Sequence, residues 1–408
     1  MKKAAVLGIL VVFTFLAFFA QAASGDQAFA QEMTKAKAKW NFLIFLNGAN
    51  NLYPYGPITI NQLKKVGSNG DVNILILRGF MHQPSQKILI KKGSAEVLET
   101  IERVDMGDYK EMVKFVKWAH ENYPAEHYFL DIWNHGMGWK KKHGVATKGI
   151  SCDDVTGNYI TTKQLGEATR AIRNIIGHNL DILAMDACNM QMAENIYELS
   201  GSVDYSVASE EIEPGTGWPY DKVAEAVVGN PSISASQFAK AIVEVHKQSY
   251  INNKEEVTTI SAIDISKFGG VFEKIEALSK ELGARIGDPA VITAIKKSAE
   301  MVQKFDEGEN IDLVHFCQLL NSNVRDEKIN RAAEELVNLA VAAQNRLVIA
   351  NGTTGDAMKN AAGIAIYLPK KQLDPEYKTI INFGQTGWAA FVEAYALTTT
   401  APAKTPEQ

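Results

Sequence analysis

Four short, mainly apolar runs and a fifth short strand segment, alternating with helical stretches, constrain this chain more than any other feature. They are Trp40–Leu46 (WNFLIFL), Val72–Leu77 (VNILIL), His127–Trp133 (HYFLDIW), Asp181–Met185 (DILAM) and Asp204–Ala208 (DYSVA). Each is too short for a buried helix and is bounded by turn residues, as a strand covered on both faces is. Between them, Met112, Phe115, Val116 and Ala119 fall at helical spacing and stop before Pro124. Residues 162–176 read as a helix capped by Thr161 or Thr162, and residues 190–199 as another. Ile88 to Leu98, around Lys92-Gly93, reads as a hairpin. Strand and helix in alternation predict an α/β fold, with a mostly parallel sheet and helices on both faces.

In such a sheet ligands sit beyond the carboxyl ends of the strands. The chemistry-bearing residues should therefore follow the apolar runs. Asn47-Gly48-Ala49-Asn50 follows the first, Asn134-His135-Gly136 the third and Asp186-Ala187-Cys188 the fourth. After Gly217 the pattern changes. Residues 236–252, 267–284, 289–305, 327–349 and 388–397 read as helices, with strands at 258–263 and 363–368.

The ends of the chain read differently. Lys2 and Lys3 precede an uncharged run from Ala4 to Ala20, then Ala20-Gln21-Ala22, a small-x-small cleavage site. A cleaved export signal over 1–22 is expected, with Ala28-Phe29-Ala30 as a second possible end and an uncleaved anchor as the alternative. Residues 23–38 read as a leader, 39–255 as the core, 256–396 as its C-terminal part and 397–408 as a disordered tail. Secretion or a periplasmic location follows. With 42 basic against 47 acidic side chains, net −5, a cationic nucleic-acid binder is excluded. Beyond the export signal no membrane contact is expected, and a monomer is expected. Three cysteines are too few for a disulfide scaffold.

His135 and Cys188 lie 53 residues apart at two strand-to-loop junctions of one sheet. Alone, His135 reads as a hydrogen-bonded loop residue and Cys188 as a packed thiol. Together they supply a thiol nucleophile and a base. A free thiol is mostly protonated at neutral pH, so the imidazole must remove its proton or deliver one to the leaving amine. Backbone N–H groups of Gly136 and Cys188 are the expected oxyanion donors. Asp186, two residues before Cys188, is read either as a carboxylate for a substrate cation or as the cap of the following helix. Glu210 and Glu211 line the same pocket or are solvated loop acids. Asp153, Asp154 and Asn158 are too few oxygens for calcium on their own. His135, His143 and Cys152 match no zinc spacing, so no metal site is expected.

The sequence resembles the clostripain-like cysteine peptidases, family C11, of the caspase and gingipain type. The resemblance is carried by WNFLIFLNGANNL at 40–52, WNHGMGW at 133–139, LAMDACNM at 183–190 and SEEIEPGTGWPY at 209–220. It continues in TTISAIDIS at 258–266, IDLVHF at 311–316, GIAIYLP at 363–369 and TGWAAF at 386–391. It implies a caspase-like α/β/α sandwich with a further helical region. It also implies endopeptidase cleavage after Arg or Lys by a His135–Cys188 dyad, with Asp186 at the base of the P1 pocket. Caspases too place the histidine about 50 residues before the cysteine. The family's self-cleavage between His and Cys strands implies processing after Lys148 or in Lys140-Lys141-Lys142. Two departures are evident: family members often carry Asp-Asn near the first strand end, and Asp where this chain has Asn134. They leave calcium dependence and P1 preference open. A catalytically silent peptide-binding protein on the same scaffold is the alternative.

Overall fold

The computed structural model describes residues 37–141, 148–253, 256–306 and 308–400. The expected signal, most of the leader, Lys142 and residues 401–408 lie outside the described residues. No helix among the described residues is long and apolar enough to cross a membrane.

Strands β1 (Ala38–Gly48), β2 (Val72–Phe80), β3 (Ser85–Lys91), β4 (Ser94–Ile101) and β5 (Ala125–Trp133) come first. β6 (Gly136–Lys141), β7 (Lys148–Asp153) and β8 (Asn158–Ile160) follow, then β9 (Leu180–Asp186), β10 (Val203–Ala208) and β11 (Thr258–Asp264). β12 (Lys304–Phe305), β13 (Asn310–Asp312), β14 (Val348–Thr354) and β15 (Ala365–Tyr367) complete the set. The central sheet has nine strands in the order β14-β11-β10-β9-β5-β1-β2-β3-β4. The five from β10 to β2 are parallel, and an antiparallel pair closes each edge. The five runs are these five parallel strands, as expected. β1 alternates between two cores: Phe42, Ile44 and Leu46 face one layer, Leu43 and Phe45 the other. This is an α/β/α sandwich, because a strand with both faces apolar must be covered twice.

Local sequence explains the helices. Asp108 caps Tyr109–Asn122, which buries Met112, Phe115, Val116 and Ala119 and ends before Pro124. Thr161 and Gln164 form a reciprocal capping box on Thr162–Ile176, and Gly177 ends that helix in the left-handed conformation. Helix Gly56–Val66 is an addition to the expected elements.

Four expectations are corrected. The helix after Cys188 begins only at Ala193, because the Gln191 N–H donates to Ser209 O and the Ala365 N–H to Gln191 O. The 289–305 helix stops at Met301, since Lys304 and Phe305 pair with β13. The 327–349 helix stops at Val337, runs through one wider turn to Ala342, and gives way to β14, which pairs with β11. The strand at 363–368 is β15, in a small sheet with β12 and β13 rather than in the central one.

The strand order reverses between β2-β1 and β5-β9-β10. This switch point leaves a crevice at the carboxyl ends of β1 and β5. The three-stranded sheet β6-β7-β8, built from the chain between His135 and the next helix, stands over that edge.

Candidate active site

Asparagines shape the first wall. At the end of β1 the Asn47 side-chain oxygen accepts the Ala49 N–H, and that of Asn50 accepts the Leu52 N–H, at 2.9 Å each. Such side-chain turns fold the loop back on itself. Both amides then donate to Cys152 O on β7, at 2.9 and 2.7 Å. The loop is thereby pinned on either side of Asn51.

At the end of β5, buried Asn134 uses both halves of its carboxamide. Its Nδ2 donates to Asn47 O at 2.6 Å, and its Oδ1 accepts the Cys152 N–H at 2.7 Å. The next residue, His135, lies with Nε2 2.6 Å from Asn51 Oδ1. Gly136 then passes so close to the β9 loop that a Cβ would sit 2.3 Å from Cys188 O. Only glycine allows that approach.

At the end of β9, Cys188 Sγ accepts the Glu213 N–H at 3.3 Å. Burial pushes the thiol up to about 11; the Glu213 N–H opposes this, while the carboxylates of Glu213, Asp186 and Asp306 reinforce it. The thiol is therefore protonated at neutral pH and needs a base. Glu213 is itself buried, and its carboxylate lies 3.1 Å from Nε2 of the fully buried His246.

These walls enclose a cleft of about 570 Å³. Asn51, His135, Gly136, Cys188, Asn189 and Ile212 line it, with Cys152 and Asp154 from the β7 end and Asp306 from the chain after β12. The structure thus brings His135, Gly136 and Cys188 to one cleft. No disulfide joins the three cysteines: Cys317 is buried in the core and Cys152 lies at the cleft.

The predicted acids lie elsewhere. Asp186 is buried behind the cleft, where its Oδ2 accepts Trp218 N–H at 3.1 Å and Tyr220 O–H at 3.0 Å. The same Tyr220 hydroxyl donates to Asp131 at 2.5 Å. Burial, with Asp131 and Glu213 nearby, raises the Asp186 carboxyl well above the usual range. Asp186 caps no helix, since the next one starts at Ala193. Glu210 turns away to accept the Gly363 N–H, and burial with Asp312 beside it raises its carboxyl well above the usual range. Glu211 accepts the N–H groups of Ile212 and Asp306. Asp153 is occupied by Arg103 and by the N–H groups of Met106, Val155 and Thr156. Lys148 opens β7.

Sequence reasoning missed Asn51, Asp306 and the Glu213–His246 pair. Asn51 follows a strand end and was within reach of the same rule that found His135. Asp306 carries no local motif, and Glu213 meets the thiol through its backbone, which residue type does not reveal.

The family model for clostripain, peptidase C11, matches residues 44–390. Clostripain of Hathewaya histolytica is 24% identical over 319 residues, which cover 67% of this chain and 59% of that protein. The chain thus spans less than two thirds of that relative's length. Two solved structures share the fold. A secreted C11 cysteine protease from Bacteroides thetaiotaomicron, in complex with an irreversible peptide inhibitor, has a TM-score of 0.65 at 20% identity, covering 87% of this chain and 99% of that one. An inactive zymogen C11 protease from Parabacteroides distasonis has a TM-score of 0.62 at 17% identity, covering 88% and 99%. The family match runs from β1 into the first turn of the last helix, Gly387–Thr400, and takes in every strand end that lines the cleft: the chain belongs to the clostripain family.

Proposed function

We propose that the protein is an exported cysteine endopeptidase that cleaves after Arg or Lys, with Cys188 as nucleophile and His135 as general base and acid. The single observation that carries the reading is the meeting of His135, Gly136 and Cys188 in one cleft at the switch point of the sheet. His135 takes the thiol proton as Sγ attacks the scissile carbonyl carbon. The oxyanion turns to the N–H groups of Gly136 and Cys188. The C–N bond breaks, the imidazolium proton passes to the leaving amine, and water then hydrolyses the thioester with His135 again as base.

The preference for a basic side chain is supported by charge. Asp154 and Asp306 line the cleft, and Asp131, Asp186 and Glu213 lie behind it. Asp186 is the proposed partner of the P1 cation. Burial, with Asp131 and Glu213 nearby, holds its carboxyl well above the usual range, and an entering guanidinium would favour the ionised form and pair with it. Processing is proposed after Lys148, the first residue of β7, or after Lys142, between β6 and β7. Calcium enters only as a condition of the assay.

Fluorogenic peptides with Arg, Lys, Asn, Asp or Leu at P1, with and without calcium, test the reading on the mature chain. Turnover after Arg and Lys alone is expected, lost in Cys188→Ala and reduced at least about 100-fold in Asp186→Asn. If Asp306→Asn rather than Asp186→Asn abolishes the basic preference, the charge is read at the cleft wall. Absence of turnover, even after limited proteolysis, moves the assignment to the silent peptide-binding alternative. Two fragments on a denaturing gel, absent in Cys188→Ala, are expected from self-processing.

A further inference from the structure

We infer that Asn51 is a positioning residue of this reaction: its side-chain oxygen holds the His135 proton on Nε2, leaving Nδ1 to exchange protons with Cys188 and the leaving amine. The inference rests on the peptidase reading above. An imidazole has two nitrogens, and in the neutral ring one donates while the other accepts. A carboxamide oxygen only accepts. With Asn51 Oδ1 2.6 Å from Nε2, this bond forms in the tautomer that carries its proton on Nε2. In that tautomer the ring's lone pair is on Nδ1.

The loop is built to keep Asn51 there. Asn47 and Asn50 anchor to Cys152 O, and the Leu52 N–H bonds back to Asn50, so residue 51 is fixed from both sides. Asn51 itself is exposed and lines the cleft. Its bond contributes little to the core and much to the ring. Once protonated, His135 stays bonded at Nε2 and gives up the Nδ1 proton, so the proton enters and leaves at one atom. The same cleft is lined by Cys188 from the β9 end, Cys152 and Asp154 from β7 and its turn, and Asp306 from beyond β12, and the carboxyls of Asp186 and Glu213 act on the thiol. Asn51 holds the ring without adding charge to the cleft.

The test uses the mature protein, Asn51→Ala and Asn51→Asp, which keeps an acceptor. Asn51→Ala is expected to lower kcat about 10- to 100-fold with KM little changed. Asn51→Asp is expected to recover most of that loss and to move the imidazole limb of the pH–rate profile to higher pH, because it adds a negative charge beside the ring. Independently of turnover, ¹⁵N-histidine spectra in a Cys188→Ala background, with His135 assigned by its loss in His135→Gln, report the tautomer. The Nε2-protonated form is expected to dominate and to give way to a mixture when Asn51 is also Ala. A kcat within twofold of wild type in Asn51→Ala, an unchanged tautomer, or equal losses in both variants overturns the inference. A wild-type protein that turns nothing over ends the peptidase reading instead, and the tautomer spectra tell the two failures apart.

Discussion

Asn134 has to donate to Asn47 O and accept from Cys152 N–H at the same time, in a buried position. A carboxylate there could accept but would face a carbonyl oxygen at hydrogen-bond distance. Asn134→Asp is therefore expected to cost about 1–3 kcal/mol, read as a lower denaturant midpoint at unchanged slope. The departure from the family's usual Asp is thus matched by a donor requirement of this chain. His246 offers a second case, since it is the partner of the buried Glu213 carboxylate whose N–H meets Cys188. His246→Leu is expected to cost about 1–3 kcal/mol and to lower kcat/KM, checked by thermal melting and peptide turnover. At this scale the sequence was legible where function sits in a side chain after an apolar run, as with His135 and Cys188. It was not legible where function sits in a main-chain N–H, as at Glu213, or in a residue carried in from far along the chain, as at Asp306.

Elements were legible in proportion to their local signals. The parallel strands have apolar runs whose residues face two cores, and the helices after Asp108 and Thr161 have caps. β14 was not. Leu347-Val348-Ile349 is a short apolar run next to Ala-rich sequence, and only its pairing with β11 makes it a strand. β12 is likewise defined by its partner β13, whereas β15 was legible as a strand and only its place in the small sheet was not. The junction of β5 and β6 makes the sharpest prediction at this level. Gly136→Ala would press a methyl against the Cys188 carbonyl, so the loops after β5 and β9 must separate. A loss of about 1–3 kcal/mol is expected, together with a fall in turnover larger than the loss of stability explains. Thr161→Ala, which removes a cap far from the thiol, is expected to cost about 1 kcal/mol and to leave kcat unchanged.

Across the whole molecule, buried acids tie the later chain to the earlier one. Glu194 accepts from Tyr367 N–H and Tyr377 O–H, Glu198 from Asn382, and Glu210 from Gly363. Burial raises Asp131 and Glu194 to about 7 and Asp312 to about 6. In the unfolded chain such groups titrate near ~4. Between these values the native state binds more protons than the unfolded one, so stability is greatest in mild acid and is lost as pH rises from about 4 to about 7. Melting followed from pH 5 to pH 8 is expected to show a falling Tm; a rising one would mean these carboxyls are ionised in the fold. The sheet also has a bearing on what cutting the chain between β6 and β7 would do. Strands β1, β2 and β5 lie before that point, β9 and β10 after it, and β5 and β9 are hydrogen-bonded neighbours in the middle of the sheet. A nick there yields two polypeptides that share one interior. They would migrate as one particle on a sizing column and part only in denaturant, so the product would be an obligate one-to-one heterodimer whose dissociation is indistinguishable from its unfolding.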